Sequence, residues 1–195
     1  IGAEVILHGQ TGSEALAHCE SLVASGDYYF LHPHKCPPFL AGSETIAEEI
    51  FADQPATQRI FVPIGGGGLL SAICAAAKKS STSFEVIGVE AEQAPAFANS
   101  FQAGHPVAIS DLDTIADALT INEPDPEVFD YVVSRTSRIV TVSEEEIVVA
   151  MRTLFDEFRI IAEPGGAASL AASLKVDDGS VAAAILSGGN ISPEE

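Results

Sequence analysis

The chain has 195 residues, 47% of them hydrophobic and only 7% aromatic, which is enough for one good core but short for two complete domains. Nine Lys and Arg against 28 Asp and Glu leave a formal charge of −19, so there is no basic surface to neutralise nucleic-acid phosphates or an anionic membrane, and neither partner is expected. Cys19, Cys36 and Cys74 are odd in number and lack CxxC spacing, which argues for a reducing compartment with the cytosol as the default, and no apolar run is long enough to span a bilayer.

Taken in chain order, apolar runs of strand length alternate with longer helical stretches. Strands are predicted at Glu4 to Leu7, Tyr28 to Leu31, Arg59 to Ile64, Glu85 to Val89, Arg138 to Val142 and Ser180 to Leu186. Helices are predicted at Ser13 to Val23, Ser43 to Phe51, Leu69 to Lys79, Glu127 to Ser134, Glu144 to Phe158 and Gly166 to Leu174. Thr11 or Ser13 can cap the first, and Ser143 with Glu146 forms a capping box for the long one. Such alternation is the signature of α/β architecture: an open, mostly parallel twisted sheet with helices on both faces. The prolines between Leu31 and Ala41 interrupt helix and ladder alike, and this stretch is the expected crossover between two domains. Residues 1–41 then form the remainder of a smaller α/β domain and residues 42–195 the main body. The chain opens at Ile1 with no initiator Met, so a fragment is expected.

The strongest local signal is Arg59-Ile-Phe-Val-Pro-Ile followed by Gly65, Gly66, Gly67 and Gly68 and then Leu69, a buried strand running through four glycines into a helix. Without Cβ atoms the turn lets backbone N–H groups converge on an anion at the positive end of the helix. A P-loop needs Gly-Lys-Ser/Thr after the turn, and Leu69-Leu70 stands there instead. A dinucleotide fingerprint is met at Gly65 and Gly67, finds Leu70 at its third position, and has Glu90 as a ribose-binding acid, so that reading stays open. The last strand also ends in a glycine turn, Ser187-Gly188-Gly189-Asn190. In a parallel sheet ligands collect beyond the carboxyl ends of the strands, so both turns can face one ligand, with the phosphate on Gly65 to Gly68 and a polar ring atom on Ser187.

Five motifs now stand in order: Phe61-Val-Pro-Ile-Gly-Gly-Gly-Gly-Leu-Leu, Thr114-Ile-Ala-Asp-Ala, Val140-Thr-Val-Ser-Glu-Glu-Glu-Ile, Glu163-Pro-Gly-Gly-Ala and Leu186-Ser-Gly-Gly-Asn. With Gly2-Ala-Glu-Val-Ile-Leu-His-Gly and His32-Pro33 upstream, the chain resembles pyridoxal-phosphate (PLP) enzymes of the serine/threonine dehydratase and serine racemase type over nearly its whole length. The resemblance implies the large domain of a PLP fold of type II and β-elimination of L-serine or L-threonine to a 2-oxo acid and ammonia, in a homo-oligomeric enzyme. It further implies that Gly65 to Gly68 and the N–H of Leu69 bind the cofactor phosphate and that Ser187 meets the pyridine nitrogen. In such enzymes a lysine holds the cofactor as a Schiff base and moves the α-proton. The lysines here are Lys35, Lys78, Lys79 and Lys175, none in an apolar context that would lower its pKa. No catalytic residue is therefore assigned, and the missing N-terminal segment, or a complementary chain, is the expected partner.

Several positions depart from the family pattern. Gly42-Ser43-Glu44-Thr45 stands for Gly-Gln-Gly-Thr, and Ala118 stands for a glycine, at a cost of about a kilocalorie if its φ must be positive. Family members with a divalent cation use an acid after the Val-Ile-Gly-Val strand, a carbonyl four residues on and an acid two further. Glu90 and Ala94 fit and Ala96 does not, so at most a metal remnant at Glu90 and Ala94 is expected. A non-catalytic domain that kept only its phosphate cradle is the competing reading.

Overall fold

The computed structural model describes residues 2–10, 12–32, 34–80, 83–110, 112–176 and 178–191. The chain divides into two compact units, Ile1–His32 and Pro33–Glu195. The first holds one helix, α1 (Gly12–Ala24), with a stacked pair of rings, His8 on His18, at 4.0 Å. The side chains that were to cap this helix lie outside the described residues.

The strands predicted at Glu4 to Leu7 and Tyr28 to Leu31 are not formed. Val5 and Leu7 are 77% and 92% exposed, and both segments run without a ladder. A parallel strand exists only where a neighbour takes its N–H and C=O groups, and apolar composition alone does not supply one. The proline-rich crossover stretch holds the start of a helix. Helix α2 (Pro37–Asp53) begins inside the proline-rich stretch, because Pro37 and Pro38 occupy its first positions, where a missing N–H costs nothing. The compact-unit division accordingly falls before α2.

The second unit is built on four parallel strands, β1 (Arg59–Pro63), β2 (Glu85–Ala91), β3 (Arg138–Val142) and β4 (Ala182–Ala184), in the order β3-β2-β1-β4. Helices α3 (Gly68–Lys79), α4 (Ala96–Ala103), α5 (Pro126–Val133), α6 (Glu144–Phe158) and α7 (Pro164–Lys175) connect them. Alternation along β1 divides the core in two. Phe61 packs with Val89, Val142, Ile147, Leu154 and the alanines of α7 on one face. Ile60, Val62 and Ile64 pack with Leu70, Ile73, Phe97 and Phe129 on the other. The sheet is thus covered on both faces, as an all-parallel sheet requires. The main body is an α/β fold of the expected class. Among the described residues no helix is long and apolar enough to cross a membrane.

Two elements position the later argument. Helix α4, which sequence periodicity does not reveal, starts where Glu90 reaches it from β2. Helix α6 begins at the capping box, with Ser143 N–H donating to Glu146 Oε2 at 2.8 Å and Glu146 N–H to Ser143 Oγ at 3.3 Å. Replacing Ser143 with Ala removes one of these two acceptors. The expected loss is about 1 kcal/mol of unfolding free energy, read from urea titration with an unchanged slope.

Candidate cofactor site

All four strands are parallel, so their carboxyl ends share one rim, and the chain leaves β1 toward β2 on one side while β4 flanks it on the other. That rim is where a parallel sheet opens a crevice for a ligand. Phe61 stands opposite Ala184, and Ile185 N–H donates to Phe61 C=O at 3.1 Å. Gly65 to Gly68 and Ser187 therefore follow neighbouring strands, not opposite edges of the sheet. Ser187 is exposed at this rim.

The glycine turn is shaped by what crowds it. Gly67 has φ +85°, and a Cβ there would meet Val128 Cγ1 at 2.7 Å and Phe97 Cζ at 2.9 Å. A Cβ on Gly65 would meet the Ala118 carbonyl at 2.7 Å, and one on Gly66 would meet the His34 imidazole. Gly67 offers α3 no side-chain cap, and the first bond of the helix runs from Ser71 N–H to Gly67 C=O at 2.9 Å. The N–H groups of Gly68, Leu69 and Leu70 precede that bond. A turn without Cβ atoms leading into uncapped amides suits a phosphate, so the residues present fit the group the resemblance implies.

Contacts on the same rim draw in two further motifs. Ala118 lies in the 3-10 turn Asp117–Leu119, and its methyl lies 3.3 Å from where a Cβ on Gly165 would be. Its φ is not positive, so the strain anticipated for alanine at this position is absent: the methyl fills space that Gly165 leaves. Gly166 lies so close to the last turn that a Cβ would meet Gly188 N at 2.9 Å. The four segments thus meet closely, Gly65 with Ala118 and Gly166 with Gly188 through backbone atoms and Ala118 with Gly165 through its methyl. A cavity of about 320 Å³ opens beside the glycine turn, between α2, α3 and α5, lined by His34, Lys35, Leu40, Ser71, Val128 and Tyr131 among others. Ser187 does not line it.

The lysines are engaged in ion pairs or exposed. Lys35 Nζ lies 2.7 Å from Asp125 and 3.1 Å from Glu127, and the hydrogen bond to Asp125 leads in pushing its pKa up. Lys79 is paired with Glu44, the acid that departs from the family pattern, and is likewise pushed up by it. Lys175 pairs with Glu146 at 3.0 Å, and Lys78 is exposed at the end of α3. The displacements at Lys35 and Lys79 run opposite to what an amine that must lose its proton requires.

Glu90 is the residue the structure reinterprets. It is fully buried, and its two oxygens accept from Phe97 N–H at 2.8 Å and Ala98 N–H at 2.7 Å in the first turn of α4. A carboxylate surrounded by donors has the wrong polarity around it for a cation, and a buried one cannot reach a ribose. Glu90 is therefore a helix anchor in place of the metal remnant with Ala94 and of the dinucleotide acid. Among the described residues no group of three or more His, Cys, Asp or Glu could hold a metal ion.

Comparison with known proteins agrees with this geometry. The family model described as "Pyridoxal-phosphate dependent enzyme" matches residues 1–188. The L-threonine ammonia-lyase of Thermotoga maritima is 35% identical over 193 residues, covering 98% of this chain and 48% of the relative. The catabolic L-threonine dehydratase of Escherichia coli K12 is 34% identical over 194 residues, covering 97% of this chain and 59% of the relative. Maize serine racemase superposes with a TM-score of 0.90 at 26% identity, covering 99% of this chain and 61% of that one. The processed threonine deaminase isoform 2 of Solanum lycopersicum gives 0.89 at 28%, covering 99% and 58%. The chain spans about half the length of the threonine ammonia-lyases it matches.

The buried anchor has a titration signature. Burial pushes the Glu90 carboxyl up to about 7 from an ordinary value of 4.5, against the opposing pull of the Phe97 and Ala98 N–H groups. A group raised on folding contributes stability that is complete below its unfolded pKa and is lost as pH rises through its folded one. Unfolding free energy should therefore fall between about pH 4.5 and 7 by roughly 3 kcal/mol on account of Glu90. Charge repulsion in this acidic chain adds its own slope, so the measurement is the difference between wild type and E90Q. The wild-type curve should descend more steeply through that window, and parallel curves would contradict the assignment.

Proposed function

The chain belongs to the family of pyridoxal-phosphate-dependent enzymes, and on that premise we propose that it carries the phosphate and pyridine contacts of an L-threonine or L-serine ammonia-lyase. The observation that carries the reading is the convergence of Gly65, Ala118, Gly165 and Gly188 on one strand rim, each held by contact with the next segment. Sequences similar to this one include L-threonine ammonia-lyases, and solved structures similar to it include a threonine deaminase and a serine racemase.

In this reading the N–H groups of Gly66 to Leu69 receive the cofactor phosphate, and the Ser187 hydroxyl hydrogen-bonds the pyridine nitrogen. When bound, PLP supplies the electron sink for the charge that develops as the substrate α-carbon loses its proton. A neutral hydroxyl does not hold the ring nitrogen protonated as a carboxylate would, so Ser187 suits rapid loss of a β-hydroxyl better than transamination. Proton transfer needs an amine within hydrogen-bond reach of the α-carbon, and the lysines of this chain are placed elsewhere. That amine, with the contacts to the substrate carboxylate, is assigned to a segment beyond this sequence. The first compact unit, Ile1–His32, is assigned to the remainder of a smaller domain and the second, Pro33–Glu195, to the cofactor-binding domain. Three free cysteines fit a cytosolic enzyme, and the resemblance implies a homo-oligomer acting on a small amino acid.

Two experiments test the assignment. The first treats the chain with PLP and borohydride and maps peptides. Cofactor should be retained weakly and no single lysine labelled stoichiometrically, whereas stoichiometric labelling at Lys35 would defeat the argument. The second supplies the N-terminal segment of a similar ammonia-lyase, fused or as a separate chain, and assays 2-oxo acid release from serine and threonine. Activity is expected only in the combination. G66D should abolish cofactor retention through charge repulsion. Gly66 is the suitable position because the atoms nearest a Cβ there belong to one side chain, the His34 imidazole, whereas one at Gly67 meets packed Val128 and Phe97 at a positive φ. S187A should keep the cofactor and lower turnover, since it removes one neutral hydrogen bond of about 1 kcal/mol.

A further inference from the structure

Ser187 is exposed, stands outside regular structure, and follows a strand of only three residues, yet the proposed contact with a ring nitrogen needs its backbone held to within a fraction of an ångström. The hold comes from α7. Before Ser187, the Ile185 carbonyl accepts from the buried Ser169 Oγ at 2.6 Å. After it, Glu163 N–H donates to Gly188 C=O at 3.1 Å, and Asn190 N–H donates to Glu163 Oε2 at 2.9 Å. The glycines of the turn make these bonds possible. A Cβ on Gly188 would lie 2.9 Å from Glu163 Oε2, and one on Gly189 would lie 2.9 Å from the Ile161 carbonyl.

Glu163 is the unusual member. It is the N-cap residue of α7, a place where a side-chain acceptor ordinarily turns back onto the first amides of its own helix. Here no such bond is made: the first turn closes through the backbone, Ala167 N–H to Glu163 C=O at 2.9 Å, and the carboxylate reaches across to the turn after β4. With no bond to its own helix, the Glu163 side chain is committed to the segment after β4.

Resting on the cofactor reading above, we propose that Glu163 is the positioning residue for Ser187. It bridges α7 to Asn190 so that the Ser187 hydroxyl presents at a fixed point on the strand rim. The effect is carried by the acceptor oxygen, so an amide should serve where a methyl does not.

The test uses the chain with E163A, E163Q, E163D and S187A, read by amide hydrogen exchange without cofactor and by the absorbance and fluorescence of non-covalently bound PLP. In E163A the Asn190 amide should exchange about tenfold faster while amides of α6 keep their protection, since one hydrogen bond of local closure is lost. The bound-PLP spectrum of E163A should move to that of S187A, and E163Q should stay with wild type in both measurements. E163D keeps the charge but withdraws the oxygen by one methylene, so it should follow E163A, and it replaces E163A if that variant unfolds. Unchanged Asn190 exchange in E163A, or a wild-type cofactor spectrum in E163A where S187A differs, overturns the positioning role alone. Absence of PLP binding by the wild-type chain, or identical spectra for wild type and S187A, overturns the cofactor reading and this inference with it.

Discussion

Everything at the strand rim depends on backbone touching backbone. Where two segments pack through side chains, their Cα atoms stay far enough apart to leave slack, and a methylene can be traded for a small shift. Where Gly166 meets Gly188, and Gly65 meets the carbonyl of Ala118, no atom is left to trade. The turns after β1 and β4, the 3-10 turn and the start of α7 are therefore held against one another with little slack. The glycines of this rim are best understood as contact surfaces, with conformational freedom needed chiefly at Gly67, whose φ is +85°.

That constraint explains why the helices are arranged as they are. Helix α7 is packed against β1 on the face that Phe61 supplies, and eight of its residues, from Pro164 through Ala172, are buried. Its alanines and glycines let it lie close to the sheet, which brings Ser169 within 2.6 Å of the Ile185 carbonyl and Glu163 to the last turn. Helix α4 is placed on the other side of the sheet by Glu90, a full charge or a proton buried to satisfy two amides. An unpaired buried carboxylate is costly, and one aimed at a helix N-terminus is the arrangement that lowers the cost. Carboxylates from both layers thus accept from backbone N–H groups next to the carboxyl ends of the strands.

The parts of this architecture that were legible in the sequence are those written locally. Strand β1 is a continuous apolar run leading into glycines, and α6 opens on a capping box whose two residues name each other, so both were read to within a residue or two. The parts that were not legible are written across distance. Glu90 read as a ligand because its partners, Phe97 and Ala98, have only backbone to offer, and backbone leaves no signature. Helix α4 was missed for the same reason. Val5, Ile6 and Leu7 read as a strand because apolar composition reports a wish to be buried, not the neighbour that would satisfy it. Pro37 and Pro38 read as breakers, whereas at the first positions of α2 they start a helix. The motifs of the site were legible as text, but the contacts that bind them, Ala118 on Gly165 and Gly166 on Gly188, needed the fold.

A site split between chain segments in this way separates holding a cofactor from using it. Binding a phosphate asks for amides that already point to one place, and a strand rim supplies them from one sheet and one helix end without reference to the rest of the enzyme. Moving a proton asks for an amine with a lowered pKa, which requires an apolar enclosure on more than one side. The open rim beside Ser187 offers no such enclosure, and Lys35 and Lys79 have their pKa pushed up by Asp125 and Glu44. Cofactor contacts and proton transfer are thus physically different requirements. The first asks only for local geometry, whereas the second needs pieces of chain to close over the same atom.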